Sequence, residues 1–219
     1  LSRRSGRRTE AFVWPTAVRV GEEAARLAAQ SSAASGNTGM SSPKRYLWDV
    51  QPRHQEWRYN RPLDDPAASE QPVTSGVYVQ YLNEVGTPLE PLKSGKLRRE
   101  SAFKNQPVDP AFRARYSRSA LMMFVLSELI LHALVTINSP AQRSERPHSD
   151  IPRRLRRVIL TVPTALPLTE RKLFRRWAEW ARDMLWEALG WQSWQAGRKG
   201  VRAIRSNDYR EAPDIRADW

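Results

Sequence analysis

Side chains able to do chemistry are sparse in this chain. Cysteine is absent, and histidine occurs only at His54, His132 and His148. The lack of cysteine removes disulfides, thiolate zinc sites and cysteine nucleophiles together. Three widely separated imidazoles make no ligand pattern, so no metal site is expected. Glycine-rich phosphate loops are missing too. Gly95-Lys96 lacks the upstream glycine of a P-loop and is followed by Leu97, and neither G-x-G-x-x-G nor G-x-S-x-G occurs. Two acidic pairs remain. Glu22-Glu23 suits the positive end of a helix, and Asp64-Asp65 reads as solvated loop.

Charge offers a different chemistry. Lys and Arg number 36 against 23 Asp and Glu, leaving 36 − 23 = +13. Residues 151–219 hold 15 basic against 8 acidic side chains, with Arg153, Arg154, Arg156 and Arg157 clustered. Trp177, Trp180, Trp186, Trp191 and Trp194 are interleaved with them. Basic residues alternating with aromatic rings can neutralise phosphates and stack on bases. Trp177, however, falls on the apolar face of a helix. A solvated or interdomain basic face is therefore the plainer explanation, with a nucleic-acid-binding module as the alternative.

The elements that must position these residues follow from periodicity. Residues 1–11 are densely basic and read as disordered. Phe12–Val20 favours strand, with Pro15 marking an edge or a strand start. Glu22–Gln30 is rich in helix formers, and Ser31–Ser42 is a loop of breakers. Val77–Leu82 and Pro88–Leu92 flank Asn83-Glu84-Val85-Gly86, the pattern of a hairpin with glycine in its turn. Residues 93–111 look loop-like. A long helix is expected from Pro110 or Ala111 to Ile137, then a loop over 138–150. Arg157–Val162 is a continuous apolar strand, the kind covered on both faces in a parallel sheet. Thr169 is the expected N-cap of a helix to Leu189, which Gly190 closes. The stretch from Trp191 to Trp219 shows no period. The order of elements is that of an α/β protein.

An apolar share of 40%, against the ~45–50% of an average globular protein, still allows a core built around nine tryptophans. No apolar signal-peptide core follows the basic first residues. Ala120–Ile137 approaches the ~20 residues of a membrane span. Glu128 sits near its middle, at an insertion cost of roughly 2.5–3.5 kcal/mol for a central charge. A buried core helix is expected there, with no membrane partner. Leu1 is not a methionine, and the expectation is a piece of a longer protein.

Two patterns carry a resemblance. Val20-Gly21-Glu22-Glu23-Ala24-Ala25, followed after a loop by Lys44-Arg45-Tyr46-Leu47, resembles DnaK-type chaperones. There a strand leads to V-G-x-x-A at a helix start, and a loop delivers K-R-x-[IL]. Val158-Ile159-Leu160-Thr161-Val162-Pro163, seven residues and then Arg171, resembles their I-T-V-P-A strand, followed at the same spacing by an arginine. More closely, FVWPTAVRVGEEAARLAA, TGMSSPKRYLWD, YLNEVGTPLEPL and PRRLRRVILTVPTALPLTER resemble the bacterial virulence factor SrfB family, itself distantly similar to actin/DnaK-type ATPases. That likeness spans Phe12 to about Arg182.

The resemblance implies part of the first lobe of an actin/DnaK-like (RNase-H-like) ATPase fold. Residues 12–105 would form an outer subdomain and 106–190 part of an inner one, with 191–219 irregular. ATP and Mg would lie between two lobes of the parent protein. Lys44 would be its catalytic, phosphate-side lysine. Pro163 and Arg171 would form the interlobe relay. The expected partners are the remaining lobe and an unknown protein, in bacterial cytoplasm. Pro43 and Tyr46 depart from the chaperone pattern. The Asp-x-Gly-x-Thr hairpin would precede residue 1, and the second lobe is missing. No catalysis and no cofactor are therefore expected of this piece alone; a non-catalytic scaffold is the other alternative.

Overall fold

A computed structural model describes residues 18, 20–29, 42–54, 79–95, 97–144, 146–147, 149–190 and 212–217. The expected strand at Phe12–Val20, the basic residues 1–11, most of the Ser31–Ser42 loop and residues 191–211 lie largely or wholly outside them. Two compact units are present, Leu1–Val125 and Leu126–Trp219. The division falls within one helix.

In the first unit, α1 covers Gly21–Ala29, close to the expected helix, with Gly21 at φ +64°. A short 3₁₀ turn covers Pro43–Tyr46 and another Val79–Tyr81. The expected hairpin is not formed. Leu82 and Pro88 make a single antiparallel bridge, and α2 follows at Leu89–Lys93. Asn83 explains why. It is fully buried, and its Oδ1 accepts from the Val85 and Thr87 N–H groups at 3.1 and 2.9 Å. Its Nδ2 donates to Gln106 Oε1 and the Pro107 carbonyl at 3.2 and 3.0 Å. The turn is thus held as a buried plug by a distant segment. Carbonyls that a ladder would use instead accept from elsewhere: Leu82 from the Ala111 N–H, Val85 from Ser117, both at 2.8 Å.

Those same bonds delay the long helix. α3 runs Arg118–Ile137 rather than from Pro110 or Ala111. The N–H groups of Ala111, Arg115 and Ser117 are engaged by the 82–85 turn and cannot enter a helical ladder. Ser117 then caps α3, its hydroxyl accepting from the Ala120 N–H at 3.2 Å. Gly86 sits at φ +88°, where a Cβ would lie 2.5 Å from the Ala120 Cβ. Leu47, Leu82, Leu92, Phe103, Tyr116 and Phe124 fill the core. Tyr116 and Phe124 meet edge to face at 5.2 Å.

In the second unit, α4 occupies Pro140–Arg143, inside the stretch expected as loop. Asn138 ties the end of α3 to the next segment. Its Oδ1 accepts from the Arg153 N–H at 2.7 Å, and its Nδ2 donates to the Leu134 and Arg153 carbonyls. β1 (Arg157–Leu160) pairs in parallel with β2 (Asp214–Ala217), Arg157 opposite Asp214 and Ile159 opposite Arg216. The parallel pairing was expected, but coverage of both faces was not met. Leu160 and Ile215 are buried, whereas Ile159 is 55% exposed. The sheet is shielded on one face only among the described residues.

α5 runs Leu168–Ala188 from Pro167, which caps it without a side-chain bond, so Thr169 lies inside the first turn rather than at the N-cap. The Arg171 N–H already bonds the Pro167 carbonyl at 3.0 Å, starting the ladder earlier. Gly190 ends it at φ +74°, as expected of that position. Phe174, Trp177, Ala178, Ala181, Met184 and Leu185 are buried, the 3.6-residue stripe of a core helix. The whole is mixed α/β, mainly helical with a small parallel sheet.

Candidate functional site

Lys44 stands on the 3₁₀ turn Pro43–Tyr46 of the first unit. Ser42 enters that turn in the left-handed region at φ 53°, and buried Leu47 anchors its far end. Lys44 itself is partly buried and Arg45 exposed. The turn is docked on the start of α3. The Arg118 guanidinium lies 4.6 Å over the Tyr46 ring and 3.6 Å from the Asp49 carboxylate. Tyr46, which departs from the chaperone pattern, therefore has a packing role as the ring beneath a cation.

Pro163 and Arg171 belong to the second unit, and the fold brings them together. Between β1 and α5 the chain turns through Pro163–Pro167, with the Leu166 N–H donating to the Pro163 carbonyl at 3.0 Å. The Arg171 guanidinium reaches back over this turn. Its Nε donates to the Leu166 carbonyl at 2.8 Å and its Nη2 to the Thr164 carbonyl at 2.6 Å. One planar fork thus holds two carbonyls of the same loop. Lys44 belongs to the first unit and these two residues to the second.

Titration is perturbed at two carboxylates of the second unit. Burial pushes the Asp183 carboxyl up, opposed by its bond from Arg182, whose Nε lies 2.7 Å away. Arg182 also donates to the Pro213 carbonyl at 3.2 Å, tying α5 to the strand lead-in. The hydrogen bond from Arg216 holds the Asp214 carboxyl low, with Arg157 and Arg175 adding to the effect. Arg182 thus joins two elements, whereas Asp214 and Arg216 pair within β2.

ATP with Mg²⁺ needs backbone N–H groups in a glycine cradle and acidic ligands for the metal. Among the described residues, no three His, Cys, Asp or Glu side chains gather in a metal-holding group. Gly86, the glycine of the expected hairpin turn, is packed against Ala120 and Tyr116. The described residues thus supply a lysine but not the rest of that donor set. They do not fit the group on their own, and no chemical step is assigned to them.

Two rings escaped the periodicity argument. Trp48 and Phe112 are 63% and 85% exposed. Trp48 lies in a stretch without period, whereas Phe112 falls within the helix expected from Pro110 or Ala111, and the start of α3 at Arg118 leaves it outside. Of the rings interleaved with the basic stretch, Trp177, Trp180 and Trp186 are in the core, and Trp191 and Trp194 lie outside the described residues.

Comparison with known proteins gives a family. The model described as "Virulence factor SrfB" matches residues 1–219. No curated protein and no solved structure matches the chain.

Proposed function

The chain belongs to the virulence factor SrfB family, and from that premise we propose that it supplies part of the first lobe of an actin/DnaK-like protein. In this reading the full-length protein binds ATP and hydrolyses it slowly, as a conformational actuator of the bacterial cytoplasm. Residues 12–105 form the outer subdomain and 106–190 a portion of the inner one. The remaining lobe of the parent chain completes the site, and this piece alone is inactive.

The observation that carries the proposal is an ordered pair of local patterns. The lysine of Lys44-Arg45-Tyr46-Leu47 comes first, and the strand ending before Pro163, with Arg171 at the next helix, comes second. The second pattern coincides with a β-strand, a turn and a helix whose arginine binds that turn. Such a joint could pass a change in the strand to the helix, and Pro163 and Arg171 are its relay in this reading. Lys44 is the phosphate-side residue in this reading; were the remaining lobe to complete the site, its ammonium would lie where negative charge on a phosphate could be stabilised.

ATP affinity and turnover of the full-length protein, with and without Lys44→Ala, form the test. Loss of turnover by about a hundredfold is expected. Unchanged affinity and turnover would remove Lys44 from the site. A wild-type protein that binds no nucleotide would leave a scaffold that kept the fold without the chemistry.

A further inference from the structure

Among the described residues, exposed aromatic rings and exposed arginines share one stretch of the first unit. Residues 49–53 and 115–119 run side by side in opposite directions. The Arg53 N–H donates to the Arg115 carbonyl at 3.0 Å, and the Ser119 N–H to the Asp49 carbonyl at 3.1 Å. Trp48 adjoins one end of this pair and Phe112 lies beyond the other. The eight residues from Phe112 to Ser119, seven steps of chain, extend over at most about 25 Å, the scale of a short run of nucleotides. Arg45, Arg53 and Arg113 are exposed along it. Asp49 lies between the ends, where Arg118 faces it at 3.6 Å; Asp109 stands near Phe112.

We propose that this strip binds single-stranded nucleic acid, with Trp48 and Phe112 stacking on bases and Arg45, Arg53 and Arg113 meeting phosphates. Arginines that track a backbone beside aromatic platforms are the recurring means of sequence-tolerant single-strand binding. An acidic polypeptide would engage the arginines, but it offers no succession of flat π faces to the two rings. Core packing does not account for Phe112, which is 85% exposed. The proposal stands apart from the ATP reading, since neither Lys44 nor the Pro163–Arg171 turn enters it.

Fluorescence anisotropy of a labelled oligothymidylate with the full-length protein tests it. Trp48→Ala and Phe112→Ala are each expected to weaken binding about tenfold while leaving the salt dependence unchanged. Phe112→Tyr should retain affinity. Arg53→Ala should flatten the slope of log K against log salt by about 0.7, the share of one phosphate contact on a single strand. Arg156→Ala, in the other unit, should leave the ring dependence intact. Because both rings are exposed, far-UV circular dichroism and Tm should not change. Absence of binding at low ionic strength overturns the proposal. So does affinity that ignores both rings and follows net charge alone, or equal competition by polyglutamate.

Discussion

Gly86 shows how much one position can decide. Its backbone lies at φ +88°, and a Cβ there would sit 2.5 Å from the Ala120 Cβ. Two separate penalties follow, one from the left-handed backbone and one from overpacking the helix start. Gly86→Ala should destabilise the protein by at least about 3 kcal/mol, measured as a lower denaturant midpoint at unchanged slope. Adding Ala120→Gly should recover the steric part and leave the backbone part, after allowing ~1 kcal/mol for glycine in a helix. A double variant no better than the single one would show that steric contact is not the cause. Glycine in this turn was legible from sequence. Asn83 beside it was not. An asparagine followed by Glu-Val-Gly reads as an exposed hairpin turn, and nothing local says that Gln106 and Pro107 will bury it.

At the scale of elements, the same long-range bonds account for most differences between expectation and fold. Periodicity located α5 well because Phe174, Trp177, Ala181 and Met184 belong to a stripe that the helix itself defines. It placed the start of α3 too early because Ala111, Arg115 and Ser117 donate across the unit to the 82–85 turn, which no local rule anticipates. β2 has no local signal because Asp214–Ala217 carries one large apolar residue, Ile215, which is buried. The turn between β1 and α5 carries its own prediction. Arg171→Ala should release the Thr164 and Leu166 carbonyls, with hydrogen exchange at the Leu166 amide rising first. Global stability should fall by about 1–3 kcal/mol, as for a charge-assisted bond that is partly exposed. Arg171→Lys should restore only part, since a point-like ammonium cannot reproduce the planar fork. Exchange unchanged in Arg171→Ala would mean that the turn holds itself.

For the whole molecule, composition and residue patterns established the class and the family. The mixed α/β character and the SrfB membership were both readable before any coordinate. Charge was readable in amount but not in placement. The sum of +13 says nothing about which arginines are engaged by carbonyls, as Arg171 and Arg182 are, and which stand beside exposed rings. Among the described residues, α3 is long and apolar enough to cross a membrane, by length and composition. Glu128, expected as a costly central charge, is 1% exposed and paired with His132 Nε2 at 3.0 Å.

Ile159 has a practical consequence. Each strand of the two-stranded sheet keeps one unbonded edge among the described residues, and Ile159 stands half bare on its outer face. Natural sheets blunt such margins with lysine, proline or a cover. Produced by itself, the second unit should stick to its own copies, strand against strand, with a loss of monomer that grows with concentration. Ile159→Lys should slow that loss in light scattering without lowering Tm. An aggregation rate indifferent to the lysine would place the adhesive surface elsewhere.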